Sequence, residues 1–176
     1  MLSIPTLSTP RLQLRAYQLS DFEPSCAMWN DPLVIKHIRE KPFTPEESWA
    51  RIFRHAGQWA LLGFGAWAVI EKDTGAYSGE IGFMDLHRDL HPPAQLAPEI
   101  GWILCSRVHG RGYATEAVQA ALAWFDKKFG PTRTACIIDP PNTASINVAR
   151  KCGYRQEQQV TYHEKPLLLF ARQPSA

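Results

Sequence analysis

The run His109-Gly110-Arg111-Gly112-Tyr113-Ala114-Thr115-Glu116-Ala117 is the part of this 176-residue chain whose residue types most clearly imply chemistry. It joins an apolar stretch, Glu99-Ile100-Gly101-Trp102-Ile103-Leu104, to a long helical pattern. Two glycines at a strand-to-helix turn leave backbone N–H groups uncovered at a helix N-terminus. Unpaired donors and the positive end of the helix dipole favour phosphate there. The turn has neither the Gly-Lys-Ser/Thr of a nucleoside-triphosphate loop nor the GxGxxG of a dinucleotide fold. An anionic cofactor of another kind is implied, held by the backbone from Gly110 to Thr115, with Arg111 placed either at its phosphates or in solvent. A bulky side chain at Gly112 would block close approach.

Other candidate groups carry less. His87 and His91 stand four apart but flank Asp89 in a proline-rich stretch, with no third ligand at suitable spacing, so no metal site is expected. Their remaining reading is a place along a substrate pocket. Cys26, Cys105, Cys136 and Cys152 are isolated, which reads as reduced thiols.

The elements that must position the loop follow from periodicity. Leu12 and Leu14 alternate with Gln13 and Arg15 as a strand, and Ser20-Asp21 opens a short helix that Asn30-Asp31-Pro32 stops. Thr44-Pro45-Glu46-Glu47 is a helix start running to about Leu61. Strands are expected at Gly65–Glu71, Tyr77–Asp85, Glu99–Cys105, Thr132–Ile138, Gln156–Tyr162 and Leu167–Arg172, the last two joined by a turn near Pro166. Apolar residues from Ala114 to Phe129 recur at helical spacing, and Asn142–Cys152 is a second helix, capped by Gly153. The order indicates one mixed α/β domain over residues 1–176. The long loop from Leu86 to Pro98 is a functional candidate by its length alone.

Hydrophobic residues make up 45% and charged residues 20%, an ordinary globular composition. A net charge of +2 gives no general field for nucleic acid or an anionic membrane, so neither is an expected partner. No basic start followed by an apolar run is visible, and the longest apolar stretch is interrupted by Gly63 and Gly65. A cytoplasmic protein is expected.

His109, Gly112 and Ala114 resemble the Gln/Arg-x-x-Gly-x-Gly/Ala pyrophosphate loop of the GNAT N-acetyltransferases. Gly110 and the continuation Gly-Tyr-Ala-Thr-Glu-Ala are similar to the branch that acetylates N-termini of ribosomal proteins. Thr9-Pro-Arg-Leu-Gln-Leu-Arg15, Glu99-Ile-Gly-Trp102, Asn142-Thr-Ala-Ser145 and Lys151-Cys-Gly-Tyr154 fall in that branch's order and span nearly the whole chain.

The resemblance implies a single GNAT-like mixed sheet with splayed central strands and about four helices. It implies acetyl-CoA as co-substrate, no metal, and an amine acceptor that is either a protein N-terminus or a small molecule, with the enzyme a monomer or homodimer. The pantetheine arm would lie along Trp102, Ile103 and Leu104, with the Leu104 N–H polarising the thioester carbonyl. His109, Gly110, Arg111, Gly112, Tyr113, Ala114, Thr115 and Asn142 would contact the cofactor. Amine deprotonation falls to Glu99, with Glu80 and Glu164 behind it. Many relatives carry a tyrosine seven residues after the asparagine, where this chain has Ala149. The thiolate would instead be protonated by Ser145, as in the ribosomal-protein branch. The missing tyrosine leaves a second reading open, a non-catalytic acyl-CoA-binding or sensing module.

Overall fold

The structure, a computed structural model, describes residues 4–173. In chain order the strands are β1 (Leu7–Ser8), β2 (Leu12–Arg15), β3 (Ala66–Glu71), β4 (Tyr77–Met84), β5 (Glu99–Leu104), β6 (Thr134–Ile138), β7 (Arg155–Tyr162) and β8 (Lys165–Arg172). They form one sheet in the order β1-β2-β3-β4-β5-β6-β8-β7, antiparallel throughout except between β5 and β6. The helices are α1 (Phe22–Asn30), α2 (Pro32–Ile35), α3 (Pro45–Leu62), α4 (Tyr113–Phe129) and α5 (Thr143–Lys151).

The local signals explain most of these boundaries. Thr44 accepts the Glu47 N–H at 3.2 Å while the Glu47 carboxylate accepts the Thr44 N–H at 2.7 Å, a reciprocal cap with Pro45 behind it. Gly63, at φ 71°, ends α3 in the left-handed region. On α4, Ala117, Val118, Ala121 and Phe125 are buried, and the Phe125 ring lies 4.1 Å from that of Phe83 on β4. Burying a side chain of that size contributes about 1.5–3 kcal/mol, which fixes the helix, and so its N-terminus, against the sheet.

The described residues hold five helices, in keeping with the about four expected; the short α2 arises because Asp31-Pro32 both stops α1 and starts α2. The Asp31 carboxylate accepts the Leu33 N–H at 2.9 Å and proline occupies the first helical turn. The last hairpin turns at His163 and Glu164, both at positive φ, rather than near Pro166, which lies inside β8 opposite Thr161.

The break in the sheet positions the site. β5 and β6 share a single pair, Glu99 with Ala135, at the start of both strands. β6 then follows β8 for five consecutive pairs, while β5 stays with β4 for six. The two strands therefore part toward their C-terminal ends, and a cavity of about 600 Å³ opens between them and the α1–α3 segment.

Candidate active site

Gly110 and Gly112 both adopt left-handed backbone, at φ 76° and 79°. Gly112 is the residue ahead of α4 and provides no side-chain cap. The N–H groups of Tyr113, Ala114 and Thr115 belong to the first helical turn and so lack intrahelical acceptors. A β-carbon at Gly110 would meet nothing within 4 Å, so the loop surface is open. These are the properties of an anion cradle.

The surrounding side chains hold the cradle rather than fill it. Tyr113 is buried and donates its hydroxyl to Glu71 at 2.6 Å, so only its backbone faces the loop mouth. Arg111 pairs with Glu71 at 2.8 Å and packs 4.6 Å from the Tyr113 ring centroid. Glu116 accepts from the Thr9 hydroxyl at 2.6 Å, the Arg11 N–H at 2.9 Å and the Arg11 Nε at 2.7 Å. Arg11 also donates to the Arg111 carbonyl at 2.8 Å. The Thr9-Pro-Arg segment and the Thr-Glu-Ala segment, separate in sequence, thus form one clamp around the loop. Arg11 was not singled out by sequence, though its place beside Thr9 was the available signal.

Glu71 ties β3 to this loop. The Tyr113 hydroxyl, with Arg107 and Arg111 beside it, holds its carboxyl down to about 2, against an ordinary 4.5. A carboxylate whose folded value is depressed stabilises the fold above its unfolded value and loses that contribution as pH falls through the folded one. Glu71→Gln is therefore expected to lower the melting temperature at pH 7 and to flatten its fall between about pH 4.5 and pH 2. Thermal unfolding across that range checks this; curves of the same shape for parent and variant would detach Glu71 from the loop's stability.

Register decides which backbone groups face the opening. The Cys105 N–H donates to the Ser78 carbonyl at 2.9 Å. Antiparallel alternation then turns Ile103 and Gly101 toward β4, and turns the N–H groups of Trp102 and Leu104 toward the gap left by β6. Ile103 reaches the cavity by its side chain. His109 Nε2 lies 2.9 Å from the Leu104 carbonyl, and a carbonyl only accepts, so this nitrogen carries the proton. That bond leaves the Leu104 N–H as the free group at the end of β5.

Asn142 and Ser145 both line the cavity. The Asn142 side-chain oxygen accepts the Ser145 N–H at 3.1 Å, so asparagine caps α5 and leaves its amide donors uncommitted. The Ser145 hydroxyl makes no hydrogen bond among the described residues. Ala149 is wholly buried in the core, where a tyrosine would overpack. Cys136 also lines the cavity, but burial pushes its thiol far above the ordinary range and so opposes the thiolate a nucleophile requires.

Glu99 is buried in the same wall, with both oxygens held by Arg88, at 2.8 Å and 3.1 Å. Glu80 lies deeper, bonded to Arg51 and to the Tyr17 hydroxyl. Burial alone would raise its pKa, but the charges of Arg51 and His55 outweigh it and hold the carboxyl well below the usual range. Glu164 sits in the exposed hairpin turn. His87 and His91 are exposed and away from the cavity; Leu86 and Arg88 are the loop residues that line it. Sequence reasoning missed a pair in the same wall. His37 Nδ1 meets Asp139 Oδ2 at 2.7 Å, while His37 Nε2 is accessible and has no hydrogen bond among the described residues. The signal for Asp139 was its place at the end of β6, three residues before Asn142.

The sequence pattern of the acetyltransferase (GNAT) domain matches residues 11–155. The chain belongs to the GNAT acetyltransferase family. This GNAT chain is 29% identical over 161 residues to an uncharacterised N-acetyltransferase, p20, of Bacillus licheniformis, covering 91% of this chain and 88% of that protein. Its fold is similar to that of a putative GNAT-family acetyltransferase from Bordetella pertussis, with TM-score 0.84, 28% identity and coverage of 96% and 99%. It also superposes on a ribosomal L7/L12 α-N-protein acetyltransferase in complex with coenzyme A, with TM-score 0.77, 16% identity and coverage of 97% and 98%. The acetyl donor of the family is acetyl-CoA, and the residues present fit it: open donors at the start of α4, and free N–H groups on β5 beside a widened gap. No helix among the described residues is long and apolar enough to cross a membrane.

Proposed function

We propose that this single domain, residues 1–176, transfers an acetyl group from acetyl-CoA to a primary amine in the cytoplasm, by direct attack within a ternary complex. The observation that supports this best is the parting of β5 from β6 directly behind the open N-terminus of α4. In this reading the backbone from His109 to Thr115 binds the pyrophosphate, and Trp102, Ile103, Leu104 and Asn142 hold the pantetheine arm. The Leu104 N–H stabilises negative charge developing on the thioester oxygen. The amine lone pair attacks the carbonyl carbon, the nitrogen gives up one proton to solvent as the carbon–sulfur bond breaks, and the thiolate takes a proton from Ser145, which regains one from solvent.

The attacking nitrogen must first be neutral, and two groups in the wall accept protons. Glu99 is the acceptor suggested by sequence. The Arg88 fork on both its oxygens favours the second, His37 Nε2, whose ring is oriented by Asp139 through Nδ1. The acceptor amine is a protein N-terminus or a small molecule, and the enzyme works as a monomer or homodimer.

Steady-state release of free thiol from acetyl-CoA with a panel of amines tests the reading. Binding of acetyl-CoA without turnover on any amine would favour the acyl-CoA-binding module instead. Ser145→Ala is expected to slow turnover roughly ten- to a thousandfold with little change in acetyl-CoA affinity. Its hydroxyl supports no other group, so thermal stability should barely move. Unchanged turnover would assign the leaving thiolate to water.

A further inference from the structure

The charges around the cavity do not balance. Of its two acidic lining residues, Glu99 is matched by Arg88, and Asp139 holds the His37 ring, which is a cation only once it has taken up a proton. Arg51, on α3, is matched by Glu80 beneath it. The two further lining guanidiniums are held less closely. Arg54, one turn after Arg51, makes no ion pair or hydrogen bond among the described residues. Arg39 lies 3.5 Å from the Phe43 ring centroid and makes a long ion pair, 3.7 Å, with the half-exposed Glu47. Among the described residues four guanidiniums thus line the cavity against two carboxylates, with Arg54 unpaired and Arg39 held only by the long contact to Glu47.

We propose that Arg54 and Arg39 form an anion subsite, and that the acceptor is a primary amine carrying its own carboxylate or phosphate a few bonds from the nitrogen. This rests on the acetyl-transfer reading for the amine end alone. A cationic acceptor would bring like charge against Arg54, Arg51 and Arg88, whereas an anion relieves their mutual repulsion. Desolvation and those two neighbours push the Arg54 guanidinium below its ordinary pKa, and an anion there would oppose that shift. Guanidinium forks match carboxylate and phosphate oxygens in geometry as well as charge. Polyamines and aminoglycosides are disfavoured on the same ground.

The chemistry has two sources, a small amino acid or a peptide N-terminus followed by an acidic side chain, and the test has an arm for each. The small-molecule arm compares 4-aminobutanoate, its amide and 1,4-diaminobutane. The peptide arm compares Ser-Glu-Gly, Ser-Gln-Gly and Ser-Lys-Gly amides. Thiol release is measured for turnover, and calorimetry in the presence of coenzyme A for binding. The anionic member of at least one arm is expected to exceed its neutral counterpart about tenfold in kcat/KM and in affinity, the scale of a partly exposed charge-assisted contact. Arg54→Gln should collapse that ratio toward one, and Arg54→Glu should invert it in favour of the cationic member. Arg54 is exposed on α3, so neither change threatens the fold. Turnover without charge preference, or with preference for the cation, overturns the subsite and leaves acetyl transfer standing. Charge-selective binding without turnover supports the subsite and removes the acetyl-transfer reading. Neither binding nor turnover in either arm overturns both.

Discussion

Gly112→Glu is expected to weaken acetyl-CoA binding by about a hundredfold or more while leaving a folded protein. Three effects act at one position. The residue sits at φ 79°, where a β-carbon costs about 1–2 kcal/mol, so some stability is lost. Its backbone precedes the uncovered N–H groups of α4, and a side chain there stands between them and a phosphate. A carboxylate adds like charge, and two unit charges 4 Å apart near a protein surface repel by about 4 kcal/mol. Gly112→Ala separates the terms, because it carries the backbone cost without the charge, and should lose at most about tenfold. A β-carbon at this position lies 3.5 Å from Arg11 Nη2, so the new carboxylate also competes with Glu116 for Arg11. Calorimetric titration with acetyl-CoA reads the effect, and circular dichroism checks the fold. Affinity equal to the parent's would remove the loop from the binding site.

How much of this was legible in the sequence depended on the range of the interaction. The cradle is local, since two glycines and a helix start within a few residues fix it. The Thr44–Glu47 cap is equally local. Asp31-Pro32 was ambiguous, because the same dipeptide ends one helix and begins another. Pro166 drew the expected turn toward itself, whereas the positive φ values fell on His163 and Glu164, residues with no glycine signal. The parting of β5 from β6 leaves no periodic mark, and it was expected only through family resemblance. Least legible were the pairs that set the chemistry of the cavity. Arg88 reaches Glu99 across eleven positions, and His37 reaches Asp139 across 102. Spacing says nothing about such contacts; packing of α1–α3 over the open sheet creates them. For that reason Glu99 read as an available carboxylate before its oxygens were seen to be occupied.

The proton acceptor offers the other large effect. His37→Asn is expected to lower kcat about a hundredfold at neutral pH, within the usual general-base contribution, and the deficit should shrink as pH rises. Without a base, the rate follows the fraction of amine already neutral, which is small at low pH and approaches one above the amine's own ionisation. A base therefore matters most where the amine arrives protonated. Asp139→Asn should give a smaller loss with the same pH trend, because the imidazole remains but loses the carboxylate that orients it. Glu99→Gln should behave differently. It removes the partner of a largely buried Arg88, so activity and melting temperature should fall together, by a factor that does not depend on pH. Rate profiles of the three variants on one amine, normalised to the parent, distinguish these outcomes. A pH-dependent deficit in Glu99→Gln, with a flat ratio in His37→Asn, would return the base to Glu99 and leave the His37–Asp139 pair as a fastening between the α2 segment and β6.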